Sequence, residues 1–221
     1  MKMFYRLAAA ATLALTIGAP SLRAQTAGKN PFSWYLGGSG GVLLFETPRQ
    51  QQGAIPTAGG NLLITARRTA LLLSIEEGFG SKELTSYIDA TAPGGTRDVT
   101  FNDIRKYSAV LLAYPLRSAA QPFVGVGLGF MHLHNPQPQN TLTPAERATA
   151  DSVVNALGSH GYATFVAGLQ LQVSGVAVYG MYQVTTSPSR SNLLSGPTHS
   201  ITAGLRFSLG GAKEGITGGG Y

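Results

Sequence analysis

The feature that most constrains this chain is a strict alternation of apolar residues with polar or small ones. From Ser200 to Leu209 every odd position is apolar, and every even position is polar, charged or glycine. Because successive side chains of a β-strand point to opposite faces, this pattern predicts a strand with one apolar face. The same period recurs in three preceding segments: Phe123–Phe130, Phe165–Val173 and Val176–Val184.

Four earlier segments are less regular, and their inward and outward faces stay open: Trp34–Phe45, Asn61–Ala66, Ala70–Gly80 and Phe101–Tyr114. The resulting eight strands are joined by connections that alternate in length. The short ones are Arg67–Thr69, Pro115–Pro122 and Ser174–Gly175, and the long ones are Glu46–Gly60, Ser81–Asp98, Asn135–Ser159 and Ser187–Pro197. Long loops at one end and tight turns at the other are typical of outer-membrane barrels. The prediction is therefore an all-β fold, an eight-stranded antiparallel up-and-down transmembrane β-barrel.

The start of the chain has the three parts of a secretory signal peptide. A basic segment, Met1–Arg6, precedes the apolar run Leu7–Ala19 and the small-residue exit Pro20–Ala24. The apolar run has 13 residues, fewer than the ~20 that a membrane-spanning helix needs. We therefore expect four parts: a cleaved signal peptide over residues 1–24, a periplasmic segment over 25–32, the outer-membrane barrel over 33–209 and a periplasmic tail over 210–221.

Composition excludes several classes of function. The chain has no cysteine, which rules out a disulfide framework and a cysteine-ligated metal site. Its formal net charge of +6 falls to +3 without the three cations of the signal peptide. The remaining cations are scattered, so no nucleic-acid partner is expected. Glycine is abundant, at 29 of 221 residues, and small inward residues suit a narrow, filled barrel.

A barrel of eight strands has predictable faces. In lipid every backbone polar group must be paired, so strands can span a membrane only as a closed barrel. The apolar faces are expected to point outward, and eight strands enclose an interior just wide enough to be filled by side chains. Glu76 and Arg206 are candidates for a charge network in this lumen, with Arg67 or Lys106 as further members. We expect aromatic girdle residues at the strand ends near the short turns: Trp34, Tyr35, Tyr114 and Phe123.

The last predicted strand carries a recognisable motif. Thr202, Gly204, Phe207 and Leu209 resemble the C-terminal strand signal of outer-membrane barrels, a polar residue, a glycine and hydrophobic residues two apart. With the signal peptide and the loop asymmetry, the chain resembles the small OmpA/OmpX/OmpW-type barrels over roughly Ser33–Leu209. The resemblance implies that outer-membrane lipid surrounds the barrel and that the barrel-assembly machinery reads this strand. The tail after the strand departs from the pattern.

The third long loop contains the start and stop signals of a helix. Thr143 can serve as N-cap, Pro144 occupies the first helical position and Glu146 can close a capping box. Gly158 is a suitable stop, which predicts a helix of about 14 residues. The helix could cover the barrel mouth, contact lipid headgroups or bind a partner.

Catalytic and metal-binding patterns are weak. His132, His134 and His160 could approach a transition metal on paired strands, but such histidines are more often solvated polar groups. His199 and Ser200 are adjacent and so point to opposite faces, which gives no Ser/His/acid geometry. We therefore predict no cofactor, no metal site and no enzymatic activity.

The sequence predicts an integral outer-membrane protein with a structural or surface-interaction role and a narrow lumen filled by side chains. An extracellular partner bound through the long loops is one option. Two alternatives are an OmpW-like small transporter of hydrophobic compounds and a soluble, lipocalin-like periplasmic carrier of an apolar ligand. The carrier should expose charge, whereas the clean strands have almost no charge on either face.

Overall fold

The structure is a computed structural model. It describes residues 32–50, 52–92, 94–116, 119–139, 142–173, 175–186 and 193–210. The predicted signal peptide, the periplasmic segment except its last residue and the C-terminal tail beyond its first residue lie outside the described residues.

Most of the described chain forms β-strands. There are eleven of them: β1 (Phe32–Phe45), β2 (Gly53–Ala66), β3 (Thr69–Gly78), β4 (Glu83–Ile88), β5 (Thr96–Phe101), β6 (Ile104–Ala113), β7 (Ala120–Leu133), β8 (Gln137–Pro138), β9 (Ser159–Val173), β10 (Val176–Thr185) and β11 (His199–Gly210). Eight of these close into a barrel in the order β1-β11-β10-β9-β7-β6-β3-β2. All neighbours are antiparallel, and β1 pairs with both β2 and β11, so the barrel has no free edge. The predicted eight-stranded antiparallel barrel is confirmed.

The two ends of the barrel differ, as the connection lengths predict. The connections between β2 and β3, β6 and β7, and β9 and β10 are short, and the strand ends that they join lie at one end of the barrel, here called the turn end. The chain enters β1 and leaves β11 at this same end. The four longer connections lie at the other end, here called the loop end, and three of them contribute residues to an apolar cluster that includes barrel side chains.

The predicted second strand, Asn61–Ala66, is too short. Strand β2 begins eight residues earlier, at Gly53, and pairs with β1 along its whole length. The missed part contains Pro56, Gly59 and Gly60, residues with low β-propensity. It becomes a strand because β1 offers a complete row of backbone partners, which a local sequence pattern does not reveal.

The second long loop is also more ordered than predicted. Strands β4 and β5 form a hairpin, and β8 adds a third strand to this small sheet. The predicted strand Phe101–Tyr114 is therefore divided, because Phe101 ends β5 and β6 starts at Ile104. Asn102 and Asp103 form the break, where His134 accepts a hydrogen bond from the backbone N–H of Asn102 and donates one to the backbone of Asp103.

The predicted helix in the third long loop is confirmed. Helix α1 spans Pro144–Leu157. Thr143 accepts a hydrogen bond from the backbone of Glu146, and the Glu146 side chain accepts one in return, which completes the capping box. No helix in the described ranges is long and apolar enough to cross a bilayer.

The barrel alternates as predicted in its second half. Outward residues of β7 and β11 are apolar and exposed: Val124, Val126, Leu128, Phe130, Ile201, Leu205, Phe207 and Leu209. The girdle prediction is wrong for three of its four aromatic residues. Tyr35, Tyr114 and Phe123 point inward and are buried, and only Trp34 faces outward. Residue type did not reveal their direction because the interior at the turn end is itself apolar.

Inward glycines make room for large inward side chains. A Cβ on Gly129 would overlap the ring of Tyr162, and one on Gly168 would overlap the ring of Phe123. Each glycine lies on a strand next to the strand of the side chain it accommodates. These inward glycines therefore have the packing role that the sequence suggests.

Candidate functional site

The barrel interior is divided into layers. At the turn end lies an apolar cluster: Tyr35, Leu63, Ala70, Leu72, Val110, Leu112, Tyr114, Phe123, Val166, Tyr179 and Met181. At the loop end lies a second one, here called the mouth cluster: Leu43, Phe45, Ile55, Tyr87, Val99, Phe101, Ile104, Met131, Leu133, Val154, Tyr162, Leu193 and Leu194. Buried polar and charged side chains lie between the two, so the polar inward faces that the alternation predicts describe only the middle of the lumen.

Arg206 is the largest fully buried side chain in the described structure, with 0% of its surface exposed. Its Nε donates to Asn61 Oδ1 at 2.7 Å, and its Nη1 donates to Gln170 Oε1 at 2.9 Å. The guanidinium carbon also lies 3.7 Å from the ring centre of Tyr179. Among the described residues, no salt bridge joins Arg206 to a carboxylate, so amide oxygens and an aromatic face stabilise this charge.

Gly37 allows Arg206 to reach its partner. In the sheet register Arg206 of β11 lies opposite Gly37 of β1, which in turn lies opposite Asn61 of β2. A Cβ on Gly37 would come within 2.7 Å of Arg206 Cγ. Because Gly37 has no side chain, Arg206 can cross over β1 and hydrogen-bond to Asn61 on β2.

Glu76 belongs to a different interior group. Its carboxylate lies 3.7 Å from Lys106 Nζ, and Lys106 also donates to Ser200 Oγ at 2.6 Å. Ser200 donates to the other carboxylate oxygen at 3.4 Å. All three residues are buried, so the charge pair is held by hydrogen bonds inside the barrel rather than exposed to solvent.

Both predicted lumen charges thus point inward, but they do not meet each other. Glu76 pairs with Lys106, which sequence reasoning named as a further member, while Arg67 lies exposed in the β2–β3 turn. Sequence reasoning missed Asn61 as the main partner of Arg206. Asn61 begins the predicted strand Asn61–Ala66, but the residue types of that short segment do not show which of its faces points inward.

The loops close the barrel mouth. Tyr87, Val99 and Phe101 come from the β4–β5 hairpin, and Val154 comes from helix α1. These side chains pack in the same cluster as inward residues of the barrel strands, and Val154 is fully buried. The predicted helix therefore covers the mouth, one of the roles considered for it. Barrel and loop residues therefore share one apolar core. The elements of this core that lie outside the barrel strands, chiefly the β4–β5 hairpin and helix α1, are here called the loop cap.

An ion pair stabilises the β4–β5 hairpin in the loop cap. Asp89 accepts hydrogen bonds from Thr91 and, at 2.6 Å, from Arg97 Nε. These hydrogen bonds, from Thr91 first and then Arg97, lower the pKa of Asp89 from about 3.8 to about 2. The Asp89 bond in turn raises the pKa of Arg97. Tyr87 lies beside this pair, and burial is the main cause that raises its pKa.

The lowered pKa of Asp89 predicts an acid-sensitive hairpin. Its stabilising contribution is complete above the ordinary pKa near 3.8 and is lost as the pH falls toward about 2. We expect NMR shifts of the β5 amides to change over this range, and Asp89→Asn to remove most of that change. Asp151→Asn on helix α1 is the control. Equal acid sensitivity in wild type and Asp89→Asn would contradict the prediction.

The four residues of the predicted assembly signal divide between the two faces of β11. Thr202 and Gly204 point inward, whereas Phe207 and Leu209 are more than half exposed on the outer face. Gly204 lies against the backbone of Gly38 in the neighbouring strand, where a Cβ would collide. Glycine at this position therefore has a local packing reason in addition to any role in a signal.

The histidines that sequence reasoning considered do not form a metal site in the described residues. His132 Nδ1 hydrogen-bonds to Ser159 Oγ at 2.6 Å, and its ring lies 6.0 Å from that of His134. His160 follows Ser159 on β9 and is half-buried. Within the described ranges no three His, Cys, Asp or Glu residues form a group that could hold a metal ion.

A closed antiparallel barrel with an apolar exterior, a filled interior and long connections at one end defines a class of protein. This chain is a small eight-stranded β-barrel of the outer-membrane type. No protein-family model matches it, and no curated protein matches it.

One solved structure supports this fold. Neisserial surface protein A (NspA) is similar with a TM-score of 0.53 and 9% identity, over 79% of this chain and 96% of that chain. The outer membrane protein OprG from Pseudomonas aeruginosa also matches, with a TM-score of 0.36 and 12% identity over 81% and 94%. The translocator domain of autotransporter NalP from Neisseria meningitidis matches with a TM-score of 0.28 and 11% identity over 93% and 95%. At these identities the first likeness supports the fold alone, and the other two are too weak to add to it.

Proposed function

We propose that this chain is an integral outer-membrane protein that presents a folded loop cap at the cell surface and does not conduct solutes. The observation that carries the proposal is the mouth cluster, in which the β4–β5 hairpin, helix α1 and the barrel strands share buried side chains. A packed core of this kind excludes water and fixes the loops in place. The loop cap then offers a defined surface to a partner outside the cell, and the barrel anchors it.

The exterior of the barrel supports a membrane location. Between the strand ends its outward side chains are apolar on each of the eight barrel strands, and many are more than 40% exposed. Monomeric soluble proteins rarely expose contiguous apolar patches beyond a few hundred Å². Lipid is the solvent that suits such a surface. Because the sheet closes on itself, the backbone N–H and C=O groups of the strands are paired, as a bilayer requires.

The alternative functions fit less well. A soluble carrier of an apolar ligand needs an open apolar cavity and a polar exterior, whereas here the exterior is apolar and side chains pack the interior in two apolar clusters with charged residues between them. A transporter of hydrophobic compounds needs a continuous apolar path. Between the two apolar clusters of the lumen lie Arg206, Glu76 and Lys106, which would interrupt that path.

Assembly into the outer membrane is part of the proposal. Phe207 and Leu209 are exposed on the last strand, where the barrel-assembly machinery could contact them before β11 pairs with β1. The signal peptide would direct export, and the proposal includes no catalytic role and no cofactor.

Membrane fractionation, gel mobility and conductance test the proposal together. We expect a carbonate-resistant outer-membrane band whose gel mobility changes on boiling, as a closed barrel requires. Purified protein in a planar bilayer should give no steady conductance, because the mouth cluster and the filled lumen leave no water path. A charged substitution in the cap, Val154→Asp, should loosen the mouth without removing the heat shift. A soluble periplasmic protein, or a stable conducting pore, would contradict the proposal.

A further inference from the structure

The outer face of the barrel carries an apolar groove. It lies across β2, β3, β6 and β7, is shallow and open on one side, and has a volume of about 720 Å³. Its floor is formed where the outward positions are small, at Gly60 and Ala109, and its walls are larger: Leu73, Ile75, Tyr107 and Phe130. These wall residues are about 40–46% exposed, so the groove is open to the surrounding lipid.

The loop-end rim of this groove is polar and charged. Two positions closer to the loop end than the wall residues lie Glu77 on β3, Arg105 on β6 and His132 on β7. The sheet register places these three residues side by side, followed by Ser159 on β9. Each lies within one residue of the loop end of its strand, where the apolar exterior gives way to the loops.

The rim is held in a fixed arrangement. Arg105 Nε donates to Glu77 Oε2 at 2.5 Å, and His132 Nδ1 bonds to Ser159 Oγ at 2.6 Å. A side-chain hydrogen bond with Tyr107 also holds Arg105, and because a guanidinium has five donors in a planar fork, donors remain for a ligand beside these two bonds. The Arg105 side chain is 39% exposed, which gives a ligand access to that edge.

A second outer groove provides an internal comparison. It has a volume of about 800 Å³ and lies across β1, β11, β10 and β9, around the small outward residues Gly40, Gly180 and Ala203. The corresponding rim positions are Leu44, His199, Val184 and Phe165. This rim contains no arginine or lysine, and His199 bonds to the hydroxyl of Tyr182. The two grooves are therefore alike in apolar volume and differ in charge at the rim.

We propose that the groove across β2, β3, β6 and β7 is a specific binding site for one phosphorylated glycolipid of the outer leaflet. An acyl chain would occupy the groove, and a headgroup phosphate would accept hydrogen bonds from Arg105 and His132. Arginine suits this role because its fork matches the oxygen geometry of phosphate. The site rests on the proposed membrane location, since the loop end must face the leaflet that holds such lipids.

Native mass spectrometry of the refolded full chain in nonionic micelles tests the site. The probes are lipid A with both phosphates, its dephosphorylated form and phosphatidylglycerol. We expect lipid A to bind most tightly and Arg105→Gln to weaken it about tenfold, because a charge-assisted hydrogen bond is lost. Glu77→Gln removes the same ion pair but keeps the cation, so it should bind lipid A as well as wild type or better.

Groove-filling variants separate the two surfaces. A Cβ on Gly60 has only one neighbour, at 3.8 Å, and one on Gly180 has none within 4 Å, so both positions tolerate a side chain. Gly60→Leu should abolish lipid A binding, whereas Gly180→Leu, which fills the other groove, should leave it unchanged. Both variants should keep the heat-dependent gel shift, which distinguishes failure of the site from failure of the barrel.

Three results would overturn the inference. They are equal binding of lipid A and its dephosphorylated form, equal losses in Gly60→Leu and Gly180→Leu, and equal losses in Glu77→Gln and Arg105→Gln. Tighter binding of phosphatidylglycerol than of lipid A would place the ligand among the phospholipids and contradict the assignment to the outer leaflet.

Discussion

Replacing Arg206 by methionine is expected to destabilise the barrel by about 2–6 kcal/mol. The substitution removes the donors to Asn61 and Gln170 and leaves both amide oxygens buried. An unsatisfied buried acceptor costs roughly 1–3 kcal/mol. The free energy of unfolding in urea, measured in lipid vesicles, should fall accordingly. The single tryptophan, Trp34, faces outward and can report unfolding by fluorescence.

Two further variants make the Arg206 result specific. Arg206→Lys keeps the charge but lacks the fork that reaches both amides, so it should lose part of the stability. Arg68→Met removes an arginine from the exposed β2–β3 turn and should stay within about 0.5 kcal/mol of wild type. If Arg206→Met and Arg68→Met unfold at the same urea concentration, the buried guanidinium of Arg206 makes no measurable contribution to the stability of the barrel.

Gly129→Val is expected to cost about 2–4 kcal/mol or to prevent folding. Its Cβ would overlap the ring of Tyr162 and lie 2.5 Å from the backbone oxygen of Tyr107. Overpacking of this kind typically costs 1–3 kcal/mol, and displacing Tyr162 also breaks its hydrogen bond to Tyr107, worth about 1 kcal/mol. The fraction of refolded, heat-shifting protein and the urea midpoint both measure the effect.

A neighbouring glycine is the matched control. Gly161 lies on β9 next to Tyr162, the residue that pairs with Gly129. A side chain at position 161 would point outward, and its Cβ would be no closer than 3.8 Å to another atom. Gly161→Val should therefore refold and unfold like wild type. A similar loss in both variants would mean that the general cost of replacing strand glycines, rather than the Tyr162 contact, determines the result.

The alternation in the sequence predicted the second half of the barrel better than the first. In β7, β9, β10 and β11 the two faces differ in polarity, so the inward position of Arg206 followed directly from its phase. In β2 and β3 the interior at the turn end is apolar, with Leu63 and Leu72 fully buried. Where both faces of a strand are apolar, residue type cannot say which one points inward.

Most of the loop cap could not be predicted from local sequence patterns either. The sequence does not predict the β4–β5 hairpin, because its strands have only six residues each. The hairpin is stabilised by contacts from distant parts of the chain, which a local pattern does not contain. Thr85, for example, donates to the backbone oxygen of Leu193 across more than a hundred residues. Helix α1 was predictable because its capping box is a local signal, formed by residues three apart.

The sequence by itself determined the number of barrel strands, their antiparallel order, the loop asymmetry and the helix in the third long loop. These follow from steric rules that act between neighbouring residues, the two-residue period of a strand and the capping of a helix end. Only the tertiary structure decided that Glu76 meets Lys106 while Arg206 meets Asn61. The physical reason is that contacts across the lumen depend on the summed register of all eight strands, which closure of the barrel fixes at once.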